Sequence, residues 1–82
     1  MQQTLENHRE TALESPYSHD RKDAIKSLSE LFPSVGDDEK RQIIETLRTV
    51  GIEATGQDER QLAVEKLEAA FRQDPTVAGP IA

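Results

Sequence analysis

Arg60-Gln61-Leu62-Ala63-Val64-Glu65-Lys66-Leu67-Glu68-Ala69-Ala70-Phe71 has a near copy 39 residues earlier, Arg21-Lys22-Asp23-Ala24-Ile25-Lys26-Ser27-Leu28-Ser29-Glu30-Leu31-Phe32. In both, apolar residues stand at i, i+1, i+4 and i+8, beginning at Ala24 and Ala63, and so gather on one side of a 3.6-residue helix. The same offset pairs Leu5-Glu6 with Ile44-Glu45, Arg9 with Arg48 and Leu13 with Ile52, so the repetition extends over a second helix. A period of this size marks stacked helix pairs, because one pair leaves an apolar flank that only another pair covers. The expected fold is all-α: a short right-handed α-solenoid fragment of stacked antiparallel helix hairpins, with about four to five helices in all.

An 82-residue chain is one domain at most, and a chain this short hides only about 60 to 65% of the surface its unfolded form exposes. With two Phe, one Tyr and no Trp, the core must be aliphatic and one layer thick. Sixteen acidic residues against ten basic leave a net charge of −6. That balance argues against binding to a nucleic-acid backbone or an anionic membrane, since each needs a basic surface. A salt-rich cytoplasm would also favour such an excess of carboxylates. The absence of cysteine removes disulfide frameworks, thiolate catalysis and the usual structural zinc sites. Met1-Gln2-Gln3-Thr4-Leu5-Glu6 has neither the basic start nor the apolar stretch of a secretory signal. No apolar run nears the roughly 20 residues that span a bilayer, so a cytoplasmic protein is expected.

The apolar spacing predicts helices over 3–14, 19–32, 38–50 and 57–72. Leu5, Ala12 and Leu13 leave the first only a thin stripe. Ser15-Pro16 breaks it, and Ser18 is the expected N-cap of the second. Pro33 and Gly36 end the second helix; Asp37 is expected to cap the third, with Asp38 and Glu39 beside its positive end. Gly51 is placed to stop the third helix as a left-handed C′ residue, and Thr55 with Asp58 has the spacing of a capping box for the fourth. Asp74-Pro75 looks like a further helix start, which Gly79-Pro80 would break after a turn. Neither period-two alternation nor a hairpin turn signal argues for a strand. The expected organisation is a single helical domain, with 1–17 a partial leading repeat, 18–56 a repeat and 57–82 a second, incomplete one.

The pattern Arg, two residues, Ala, three residues, Leu occurs at Arg21, Ala24, Leu28 and again at Arg60, Ala63, Leu67. It resembles the first helix of a HEAT-like (armadillo/HEAT-type) repeat, over about residues 18–82. Asp20 and Glu59 depart from that family, which usually places an aliphatic residue before the Arg. The resemblance implies an α-solenoid fragment whose activity is protein binding along the surface formed by second helices.

Read as chemistry, the chain offers little. His8 and His19 lack any i, i+4 His pairing, so no metal is expected. Asp37-Asp38-Glu39 has no calcium-loop spacing, no nucleophile sits in a glycine-rich elbow, and the four glycines form no phosphate loop. The expectation is a protein without enzymatic activity and without cofactor. Ala24 and Ala63 allow close helix approach, and Phe32 and Phe71 should plug the seam between repeats. Arg21 and Arg60, at one repeat position, suggest a ladder of contacts between repeats. On the third helix Arg41, Glu45, Arg48 and Thr49 form a mixed surface suited to a partner peptide or helix. Leu62, where the second helix has Asp23, widens the apolar arc of the fourth helix and marks an uncovered flank. The partner is then another protein or a second copy in a homodimer. The competing expectation is a small acidic inhibitor or nucleic-acid mimic whose carboxylates fill a basic groove on a target.

Overall fold

Three short connections divide the chain into α1 (Gln2–Glu14), α2 (Ser18–Leu31), α3 (Asp37–Glu53) and α4 (Gln57–Gln73), and a 3-10 turn at Phe32–Ser34 closes α2. The computed structural model describes the backbone of residues 2–75 and the side chains from Leu5 to Pro75, so the tail expected beyond Pro75 lies outside it. Among the described residues there is no strand, and no helix is long and apolar enough to cross a membrane.

The four predicted helices are present, but their ends differ in instructive ways. Ser18 is the first residue of α2; Tyr17 holds the cap position in extended conformation without a side-chain cap bond. Asp37 stands inside α3 behind Gly36, and Gly56 rather than Thr55 precedes α4. At Gly36 and at Gly56 a glutamate three residues on leans back over the cap. A Cβ on Gly36 would stand 3.0 Å from Glu39 Oε1, and one on Gly56 would stand 3.6 Å from Glu59 Oε1. The carboxylates of both first turns still face the positive end of their helix dipole. Gly51 does not end α3, which continues to Glu53. A Cβ there would meet Val64 Cγ2 at 3.3 Å, so the small residue serves the close approach of α4 rather than a cap.

α1 packs on α2, and α3 on α4, each across a three-residue connection that forces an antiparallel return. The two hairpins lie side by side, α2 against α4 and α1 against α3. Arg9 reaches Gln42 and Thr46, while Ala12 borders Thr49, Val50 and Glu53, so α1 and α3 run in the same direction. α2 and α3 stand on a diagonal of this arrangement and touch little, although the expected repeat 18–56 groups them. The Cα atoms fill a slab of 33 × 27 × 16 Å, two helices thick in its thinnest direction.

The core follows from the stripes. Ile25, Leu28 and Phe32 on the α2 side, Ile43 and Leu47 on α3 and Ala63 on α4 are fully buried. Ala24 is buried beside them, which fits the close approach expected of both alanines. Among its described side chains α1 contributes Leu5 and Ala12; Leu13 is exposed. Each large side chain buried here stabilises the fold by about 1.5 to 3 kcal/mol before the cost of ordering it.

Candidate interaction surface

The contacts across the seam between the hairpins are built by two arginines of the first. Arg21 donates Nε to Glu59 Oε2 at 2.7 Å and Nη2 to Glu59 Oε1 at 3.0 Å, a two-pronged pair. Glu59 is only 2% exposed, so Arg21 is the compensation for a carboxylate taken out of water. The hydrogen bond that Arg21 donates to Glu59, more than the charge of that carboxylate, raises the Arg21 pKa above its usual value against the opposing effect of burial. Arg9 makes the second crossing. Its Nε donates to Thr46 Oγ1 at 2.9 Å and its Nη1 to Gln42 Oε1 at 3.5 Å, while Thr46 donates its own hydroxyl proton to the Gln42 carbonyl. No buried side-chain polar atom among the described residues lacks a partner.

Arg21 also donates Nη1 to the Ser15 carbonyl at 2.6 Å, and Arg60 donates Nη1 to the Ala54 carbonyl at 2.9 Å. Both reach back six residues, to carbonyls left open at the end of α1 and of α3. The repeated arginine therefore locks its own hairpin turn. Arg21 also pairs with the neighbouring hairpin; Arg60 has no such pair among the described residues. The expected ladder has one rung here.

The residues 39 positions after the buried trio meet a different environment. Val64, the counterpart of Ile25, is 44% exposed, and Leu67 and Phe71, the counterparts of Leu28 and Phe32, are only partly buried. Ile52 on α3 is 72% exposed. Arg60, Val64, Leu67 and Phe71 recur at i, i+4, i+7 and i+11, one stripe along α4. The stripe that is fully buried on α2 is thus only partly covered on α4.

The residues singled out from sequence fall apart into two groups. Arg41, Glu45 and Arg48 are exposed along one line of α3, and none of their side chains bonds to another described residue. Thr49 donates to the Glu45 carbonyl and so faces its own helix. Leu62, like Leu67 and Phe71, is partly buried against the core. Val64, two residues on, is the exposed one, and the burial of its counterpart Ile25 could not be read before the pairing of helices was known.

A shallow cleft of about 240 Å³ opens where the two hairpin turns meet, with Arg21 and Glu59 on its floor. Both are consumed by each other; Ser15, Thr49, Glu53 and Thr55 also line the cleft. His19 lies 3.3 Å from Asp23 on the exposed side of α2, and no group of three potential metal ligands converges among the described residues. Lys40 bonds Asp74 at 3.1 Å and lies 5.4 Å from the centre of the Phe32 ring, closing the opposite end of the seam.

Comparison with protein-family models, with curated proteins and with solved structures returned no match.

Proposed function

We propose that the chain is a non-enzymatic protein-interaction module, a two-hairpin fragment of a right-handed α-solenoid of HEAT-like type, acting as an adaptor or regulator. What carries this reading is the stripe of exposed Val64 and partly buried Leu67 and Phe71, whose counterparts Ile25, Leu28 and Phe32 are fully buried. An apolar stripe of this length headed by Arg60 suits a helix or helix pair that brings aliphatic side chains and a carboxylate. Arg41, Glu45 and Arg48 supply a polar margin to the same hairpin.

A photo-crosslinking residue at Val64 tests the reading in cells, with the same residue at exposed Glu30 of α2 as control. A product found at Val64 alone, identified by mass and then rebuilt from purified components, is expected. Equal labelling at both positions would count against the flank. The competing reading, an acidic inhibitor, rests on the exposed carboxylates Glu10, Glu14, Asp20 and Asp23 of the first hairpin. Complex release at rising salt would favour it, because screening weakens exposed charge pairs and leaves apolar contact intact.

A further inference from the structure

The polar contacts across the seam have acceptors on α3 and α4, namely Gln42, Thr46 and Glu59, and donors on α1 and α2, namely Arg9 and Arg21. Shifted by 39 residues, the donors become Arg48, exposed on α3, and Arg60, at the head of the α4 stripe. Shifted the other way, the acceptors become Gln3, Asn7 and Asp20, all in the first hairpin. Asn7 and Asp20 are exposed and bond to nothing else among the described residues. Each donor and acceptor type of the seam is therefore present a second time, donors at one end of the molecule and acceptors at the other.

We infer that a second copy of this chain docks head to tail, placing its first hairpin on the open flank of the second hairpin. This rests on the reading of that flank as an interaction surface and names its occupant. Arg60 meets Asp20 of the second copy as Arg21 meets Glu59, and Arg48 meets Asn7 as Arg9 meets Thr46. The match is one of charge and hydrogen bonding first. Where the seam has Leu47 and Val50, the first hairpin has His8 and Thr11, so less apolar surface is covered than inside the chain. The association is correspondingly weak, belongs to high concentration, and is heterologous, so it extends rather than closing at a dimer.

Sedimentation velocity over a concentration series up to the millimolar range tests it. Wild type is expected to form dimers and then longer species. Asp20→Arg sets two like charges face to face and should weaken association by about tenfold or more; Asp20 is exposed and bonds to no other described residue, and circular dichroism checks the effect of losing its carboxylate from the first turn of α2. Arg60→Glu should act alike, with circular dichroism as the check on folding, since Arg60 also holds the Ala54 carbonyl. Mixing the two variants should restore pairing, because the cation introduced in one copy then faces the carboxylate introduced in the other. A wild type that stays monomeric at millimolar concentration overturns the inference, and so does association that Asp20→Arg leaves unchanged, which would mean that two like flanks pair instead. If a different protein is trapped at Val64 while wild type stays monomeric, the flank stands and the second copy does not.

Discussion

Arg21 and Arg60 occupy one repeat position yet do unequal work, and the difference is testable. Loss of Arg21 strands the Glu59 carboxylate at 2% exposure and frees the Ser15 carbonyl, whereas loss of Arg60 frees only the Ala54 carbonyl. Arg21→Ala is therefore expected to lower the melting temperature clearly more than Arg60→Ala, and equal shifts would show that the pair with Glu59 stabilises nothing. Gly51 offers the opposite sign. An interior helical glycine costs about 0.5 to 1 kcal/mol relative to alanine, and the side chain it would touch, Val64, is partly exposed and has room to give. Gly51→Ala should raise the melting temperature, and more so when combined with Val64→Ala. The pairing of Arg21 was half legible: its recurrence at Arg60 suggested contact between repeats, but nothing in the spacing named Glu59 as the partner.

At the level of the helix, equivalent stripes carry different energy. Leu28 is fully buried, and Leu28→Ala is expected to cost about 2 to 5 kcal/mol, the usual range for an emptied core site. Leu67, at the same place in α4, is partly covered, so Leu67→Ala should cost less by denaturant unfolding. Equal losses would mean that α4 is covered in solution by something that holds Leu67 as tightly as the core holds Leu28. The helices themselves were readable from apolar residues at i, i+4 and i+8, since that spacing has only one regular solution. Their ends were less so. Asp37 and Thr55 are good capping types, but Gly36 and Gly56 take the caps, and Gly51 lies within α3. Capping preference is worth about 1 kcal/mol, small beside the packing that decides where two helices meet.

For the whole molecule, Val64→Asp separates folding from binding. Val64 is 44% exposed, so the variant should keep its helical circular dichroism and melt within a few degrees of wild type while losing any partner held on the flank. A collapse of the fold would show that Val64 belongs to the core. The residues alone settled that the chain is helical, where its helices lie and that one half echoes the other, because each of these depends on spacing along a single segment. Which helices pair did not follow from spacing. A stripe at a given period suits any neighbour of like width, and the choice of α1 with α2 and α3 with α4 comes from three-residue connections and the shape of the shared core. The open flank emerges only from that choice, since Val64 differs from Ile25 in what lies across from it far more than in its own chemistry.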